Sequence, residues 1–272
     1  MFIKVYSLKN CGGGYDDISA VIHLGACSST VESDFDYLWN NNVEYSKTLW
    51  KYCTEKQITF LYASSAATYG DGMQGFDDMA DIDRLLPLNG YGYSKQAFDR
   101  WVKKQRETPL HYAGFKFFNV YGPNEYFKGS MASMVFHGYR QVCENGTIRL
   151  FRSCKPEYGD GEQLRDFVYV KDVCDVMVYV LEHQEVNGLF NVGTGKAQSF
   201  RELAEAVFHA IGTEPRIEYI EMPEKLRKNY QYYTKAETDK LRKAGYTKGF
   251  HDLEMGVGDY MCNYLSNDFA IY

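Results

Sequence analysis

ITFLYASS, residues 58–65, is an apolar run of eight that ends on two hydroxyls. A run of this length, rich in β-branched and aromatic side chains, reads as a strand buried on both faces. Working outward, residues 36–56 carry helical periodicity, and AVIHLGA at 20–26 reads as a buried strand before them. On the other side, the turn-rich PLNG gives way to a helix over 91–106. AGFKFFNVY at 113–121 is a third strand, stopped by Gly122-Pro123. Strand, helix, strand, helix, strand predicts parallel strands joined by right-handed crossovers in a doubly wound α/β sheet. Ligands in such sheets sit beyond the carboxyl ends of the strands. The places to look are therefore residues 25–30, 64–70 and 119–124.

The second half is less regular. Helices are expected over 130–145, 171–181 and 199–211, the last with Ser199 as N-cap. Short strands are expected at 148–151, 166–170, 189–192 and 217–220, and two closing helices at 235–244 and 253–265. No Pro- or Ser-rich linker separates the halves, so a second domain has to pack against the first or interleave with it.

The bulk properties narrow the function class. With 272 residues the chain can bury a large core, and 45% apolar with 24% charged residues is ordinary for a soluble enzyme. A net charge of −6 with mixed signs argues against nucleic acid as a partner. Seven cysteines (Cys11, Cys27, Cys53, Cys143, Cys154, Cys174, Cys262) form no C-x-x-C pair, and no His spacing completes a metal site. Reduced thiols in the cytoplasm are expected. No apolar run is long enough for a membrane span, and the first residues lack the apolar stretch of a signal peptide.

Chemistry concentrates around Tyr91-Gly-Tyr-Ser-Lys95. Residues four apart share one helix face, and an ammonium beside a phenol favours phenolate, so Tyr91 can exchange a proton with a substrate alcohol. Ser64 and Ser65 end the preceding strand, where a hydroxyl can share the charge that develops on the reacting oxygen. Gly193-Thr-Gly-Lys196 lacks phosphate-loop spacing and reads as a strand-to-helix turn.

HLGACSSTVESD, FLYASSAATYGDG, LNGYGYSK, FKFFNVYGPNEYFKGSMASMVFH, RDFVYVKDV and FNVGTGKAQSF resemble the ADP-L-glycero-D-manno-heptose 6-epimerases, a family of the extended short-chain dehydrogenase/reductase group. The likeness runs from about residue 21 to about 260. The Tyr-x-x-x-Lys spacing and RDFVYV are common to nucleotide-sugar epimerases and dehydratases; GACSST and KGSMAS are particular to this family.

What the resemblance implies can be placed position by position. It makes Tyr91 a catalytic acid/base, Lys95 its partner and a ligand of the nicotinamide ribose, Ser65 the hydroxyl at the substrate, and Lys128 a second acid/base. Leu24, Gly25, Ala26, Cys27, Ser28, Asn41 and Val120 would line the cofactor, with Lys95 and Lys128. Asn119, Ser130, His137, Phe151, Arg152, Ser153, Cys154, Arg165 and Tyr230 would meet the substrate. The implied cofactor is NADP, with NAD possible, and the implied substrate an ADP-heptose whose C6 is inverted on the way to lipopolysaccharide core precursors. A homo-oligomer is implied too. Residues 1–128 with 167–196 would hold the dinucleotide, and 129–166 with 197–272 the substrate.

Some positions read two ways. Arg165 can grip a diphosphate bidentately or pair with Asp166 or Asp172. His137 is a packing residue or a ligand, Tyr230 a nucleotide contact or a partly buried surface, and Lys128 outside its motif a solvated loop residue. A 4,6-dehydratase would want an acid after the catalytic Ser, where this chain has Ala66. A silent remnant that only binds nucleotide sugar is the reading from another class.

One expected feature is missing. No glycine fingerprint for a pyrophosphate opens the chain, and Cys11-Gly-Gly-Gly14 is followed by a strand, so it reads as a loop. The resemblance begins at a strand that is fourth in the family. It implies a further βαβ unit in front, on which cofactor affinity is expected to depend.

Overall fold

The computed structural model describes residues 18–227 and 230–272; the Gly12–Gly14 cluster lies outside them. The strands in chain order are β1 (Ala20–His23), β2 (Thr59–Ser65), β3 (Tyr112–Phe117), β4 (Asn119–Tyr121), β5 (Ile148–Phe151), β6 (Leu164–Arg165), β7 (Phe167–Tyr169), β8 (Gly188–Val192), β9 (Gln198–Ser199) and β10 (Ile217–Ile220). The helices are α1 (Phe35–Trp39), α2 (Tyr45–Lys56), α3 (Gly90–Lys103), α4 (Met134–Asn145), α5 (Val170–Glu182), α6 (Phe200–Ile211), α7 (Glu224–Arg227), α8 (Asp239–Lys243) and α9 (Leu253–Tyr260). The fold is α/β with a parallel main sheet, as the periodicities predict.

The described chain divides into two units. The first comprises residues up to Phe117, Val176–Val192 and Glu237–Tyr246. Its sheet has the order β1-β2-β3-β8, parallel throughout. Parallel strands need long crossovers, and α2 and α3 supply the first two. Trp50 and Cys53 of α2 and Phe98 and Val102 of α3 pack with Val21, Phe60 and Tyr62 in one apolar cluster. Gly114 sits opposite Tyr62 in the ladder, and a Cβ there would come within 2.3 Å of the Tyr62 ring. Only glycine lets that ring lie flat across the strand.

Helix ends follow local chemistry. Asn89 caps α3 by accepting from the Gly92 amide at 2.8 Å. Asp34 caps α1 in the same way. The helical stretch after it passes through a π turn at Asn40–Glu44 before α2 begins, so the expected single helix is three segments.

The second unit comprises Phe118–Asp175, Gly193–Ala236 and Thr247–Tyr272. Here β4 pairs with β7, β5 with β10, both parallel, and β6 with β9 antiparallel. Val135, Ile148, Leu203, Val207, Val257 and Tyr260 mark its core. Ser199 caps α6 in a full capping box with Glu202.

Three expectations about elements need correction. β1 ends at His23, leaving Leu24, Gly25 and Ala26 in the following loop. The strand expected over 113–121 is two strands, because β3 pairs with β2 and β8 whereas β4 pairs with β7; a strand changes partners only where its ladder breaks, here at Phe118. The helix expected over 235–244 is only α8. Thr234 and Ala236 are drawn out by Asp166, whose amide binds the Thr234 hydroxyl and whose carboxylate accepts from the Ala236 amide.

Candidate active site

In the first unit the carboxyl end of β2 and the amino end of α3 bring three side chains together. Ser65 closes β2 and caps a 3-10 turn over Ala66–Tyr69, accepting from the Ala67 amide at 3.1 Å. Tyr91 lies in the first turn of α3, and its phenol is hydrogen-bonded to Ser65. Gly92 allows this closeness: a Cβ at that position would stand 2.7 Å from the Ala67 carbonyl oxygen. Lys95, 5% exposed, donates to the Ala63 carbonyl at 2.8 Å.

Electrostatics departs from the simple expectation. Burial holds the Tyr91 phenol above its usual range, with the Ser65 hydrogen bond opposing. Burial also pulls Lys95 down to about 8, against the attraction of Asp99. The resting site therefore holds a neutral phenol, a proton donor, rather than a phenolate.

The loop after β1 borders this trio. The Cys27 thiol interacts with both Tyr91 and Lys95. Leu24, Gly25 and Ser28 are exposed, Ala26 and Cys27 half-buried, and no heavy atom would lie within 4 Å of a Cβ on Gly25. An open backbone lip beside a phenol and an ammonium suits the ribose and nicotinamide end of a dinucleotide.

The anchor of that lip is Asn42, a residue the sequence reading missed. Its side chain accepts from the Cys27 amide at 2.8 Å and donates to the Cys27 carbonyl and the Ser94 hydroxyl. Its own carbonyl accepts from Ser46, which holds His23. Asn41, the expected cofactor residue, is half-buried and donates to the Tyr37 carbonyl. Three consecutive asparagines on a helix face three directions, and only packing tells which one is buried.

In the second unit, Arg165 is 6% exposed and stacks on two rings, its guanidinium carbon 5.2 Å from the Tyr230 centroid and 5.5 Å from that of Phe200. No carboxylate lies within ion-pair range of it among the described residues. Asp166 is taken by the amides of Thr194, Gly195 and Ala236 and by the Thr194 hydroxyl, and Asp172 by His251. Neither acid considered from sequence is its partner. Phe151 meets Tyr230 edge-on with ring centroids 6.4 Å apart. Arg165, Tyr230 and Phe151 thus share one aromatic, cationic wall.

The neighbouring positions are less engaged. Arg152 is paired with Asp160 and Glu221, the Ser153 amide donates to Asp160, and the Cys154 amide donates to the Tyr232 hydroxyl. Asn119 is exposed and Val120 half-buried on β4. Lys128 and Ser130 are exposed beside a 3-10 turn at Gly129–Met131, which replaces the start of the helix expected at 130. Buried Glu125 fixes that turn, accepting from both the amide and the hydroxyl of Ser133, the N-cap of α4. His137 is half-buried in α4. The Gly193–Lys196 stretch is a turn between β8 and β9 folded around Asp166.

Among the described residues no group of His, Cys, Asp and Glu is placed to hold a metal ion, and no helix is long and apolar enough to cross a membrane.

The sequence profile of the NAD dependent epimerase/dehydratase family matches residues 14–193. An ADP-L-glycero-D-manno-heptose-6-epimerase of Fusobacterium nucleatum subsp. nucleatum is 52% identical over 267 residues, covering 95% of this chain and 80% of that protein. The chain belongs to the NAD dependent epimerase/dehydratase family, among its ADP-L-glycero-D-manno-heptose-6-epimerases. Solved structures agree with this epimerase family. The Helicobacter pylori ADP-L-glycero-D-manno-heptose-6-epimerase matches with a TM-score of 0.76 at 28% identity, over 90% of this chain and 72% of that one. A Thermus thermophilus UDP-glucose 4-epimerase in complex with NAD gives 0.71 at 25% identity, over 90% and 78%. An epimerase of this family uses a nicotinamide cofactor and a nucleotide sugar.

Proposed function

We propose that this chain inverts C6 of an ADP-heptose, converting ADP-D-glycero-D-manno-heptose to its L-glycero epimer with bound NADP. The reaction would serve the making of lipopolysaccharide core precursors in the cytoplasm. The observation that carries the reading is the Tyr91 phenol held on Ser65, with Lys95 one turn along the same helix, in a chain 52% identical to an epimerase of that name.

In this reading the first unit binds the dinucleotide. Leu24 to Ser28 line its nicotinamide end, with Asn41 as a further contact, and Lys95 holds the ribose; Val120, of the second unit, is a further cofactor contact. Bound there, NADP would supply a reversible two-electron acceptor for the C6 hydrogen, so that the sugar carbon could be oxidised and then reduced on its other face. Everything else falls to protein side chains. Tyr91 handles the oxygen proton in one orientation of the C6 group, and Ser65 shares the charge on that oxygen. Inversion turns the group about the C5–C6 bond, so the oxygen ends elsewhere and a second acid/base must meet it there. Lys128 takes that role. Its exposed position beside Gly129 suits a group that must reach a substrate rather than fill a core.

The second unit binds the nucleotide sugar. Arg165, which donates to the Leu164 carbonyl at 2.8 Å and has no carboxylate partner among the described residues, offers the diphosphate a guanidinium already stripped of water. Tyr230 and Phe151 face the nucleoside, and Asn119, Ser130, His137 and residues 152–154 complete the contacts. A 4,6-dehydratase is disfavoured, because buried Ala66 stands where that chemistry wants an acid. The active form is a homo-oligomer, measurable by light scattering after gel filtration.

The direct test incubates the protein with ADP-D-glycero-D-manno-heptose and either NADP or NAD, and follows the L-glycero epimer by proton NMR. Epimer formed faster with NADP supports the reading. No epimer with either cofactor, from protein shown to bind it, overturns it.

A further inference from the structure

Behind Ser65, Tyr91 and Lys95 lies a group of ionisable side chains that the reaction as described leaves unused. Asp99 sits one turn beyond Lys95 on α3 and is 3% exposed, so residues 91, 95 and 99 form one stripe along the helix. One carboxylate oxygen of Asp99 accepts from the Ser64 hydroxyl at 2.5 Å. The Tyr62 phenol is hydrogen-bonded to the same carboxylate, whose second oxygen is otherwise without a partner among the described residues. Lys116 of β3, 1% exposed, is a second buried cation. Its ammonium donates to the Thr68 hydroxyl at 2.8 Å and lies 4.2 Å from the centre of the Tyr69 ring. Thr68 in turn donates to the Ser65 carbonyl at 2.8 Å.

The pattern of anchorage is specific. Ala63, Ser64 and Ser65 are consecutive at the end of β2, and each is held through this group: Ala63 by Lys95, Ser64 by Asp99, Ser65 by Lys116 acting through Thr68. Buried charges persist when they are paired. Asp99 is the shared counter-charge of the two ammonium groups. Burial pulls both lysines down to about 8, and Asp99 opposes that pull on each. The other ionisable groups facing Lys95 are Tyr91 on its own helix, Cys27 after β1 and His23 on β1. Among the described residues Asp99 is the carboxylate that acts on Lys95; Lys116 is faced by Asp78 as well, and by the like charge of Lys240.

We propose that Asp99 is a positioning residue for the epimerase reaction, fixing through Ser64 the strand end that carries Ser65 and keeping the Lys95 side chain cationic, with Lys116 as its counter-ion from β3. The proposal rests on the roles given above to Tyr91 and Lys95. Asp99 borders a cavity of about 680 Å³, also lined by Tyr62, Ile82, Val102 and Leu189. In Asp99→Asn the amide oxygen can still accept from the Ser64 hydroxyl.

The test labels the lysine ε carbons with carbon-13 and titrates the Lys95 signal by NMR, assigned through Lys95→Arg, without substrate. Asp99→Asn is expected to lower the Lys95 midpoint by at least about one pH unit, the size of effect a close counter-charge exerts. Asp99→Glu is expected to recover most of that change. The basic limb of the epimerisation pH profile should move in step with the NMR midpoint. An unmoved midpoint in folded Asp99→Asn protein overturns the proposal. A moved midpoint in a protein whose parent never epimerises overturns the functional reading and leaves the electrostatic role of Asp99 standing. If Asp99→Asn does not fold, Ser64→Ala serves: losing that hydrogen bond weakens ionised Asp99, so a smaller fall in the Lys95 midpoint is expected, and no fall at all overturns the proposal.

Discussion

Tyr91 and Lys128 are the two side chains on which the proposed chemistry turns. Tyr91→Phe removes the proton but keeps the ring, and should lower kcat by 10²-fold or more, the usual weight of a general acid. Combined with Lys128→Met it should abolish epimer formation while circular dichroism stays that of the parent; an unchanged rate in the double variant would refute the assignment. Arg165 gives a second test. It is a buried cation with no carboxylate beside it, so Arg165→Met should leave the ligand-free melting temperature unchanged or raised. The same change should raise KM for the nucleotide sugar roughly tenfold or more. A lower melting temperature with an unchanged KM would show that Arg165 is structural. At this scale the sequence was readable where spacing carries the signal: Tyr91 and Lys95 share a helix face, and Ser65 ends a strand. Arg165 was not, since its two acidic candidates are occupied by Thr194, Ala236 and His251, residues far along the chain. Asp99 had a usable clue in its i+4 spacing from Lys95, and Lys116 in being a lysine inside the apolar run FKF.

Among elements, α3 has the least tolerance. Its first turn rests on the 3-10 turn after β2, and Gly92→Ala would drive a methyl against the Ala67 carbonyl. Either helix or turn has to move, which should cost about 1–3 kcal/mol. Because Tyr91 and Ser65 ride on the two sides of that contact, kcat should fall by more than tenfold. A stable, fully active Gly92→Ala would show that the contact is slack. Ser199→Ala makes the opposite comparison. It removes the N-cap of α6 and should cost about 1 kcal/mol in urea unfolding with little change in kcat. That cap was legible because Ser199 and Glu202 stand three apart before an amphipathic run. The break at Phe118 was not legible, since AGFKFFNVY is apolar on both sides of it and only the pairing partners differ.

For the molecule as a whole, the clearest pH effect comes from His23. Burial and then Lys95 pull it down to about 4, from 6.5 in an unfolded chain. Between those values the unfolded chain binds a proton that the folded chain refuses, so stability is full above about 6.5 and is lost as pH falls toward 4. The loss attributable to this one ring is about 3 kcal/mol at most. Urea midpoints at pH 7 and pH 4.5 measure it, and His23→Gln should flatten the difference. A variant that loses as much stability as its parent over that interval would place the titration elsewhere. The overall class was visible from alternating strands and helices, which are local signals. The partition into two units was harder, because each unit gathers segments from three parts of the chain.

The carboxylate of Asp166, closed round by three amides and a hydroxyl, makes the Gly193–Lys196 turn a decoy. Those glycine-rich amides are the sort that greet phosphates elsewhere, yet here a built-in anion already occupies their embrace. A nucleotide or sulfate added from solution would meet negative charge at the bottom of the turn and be turned away.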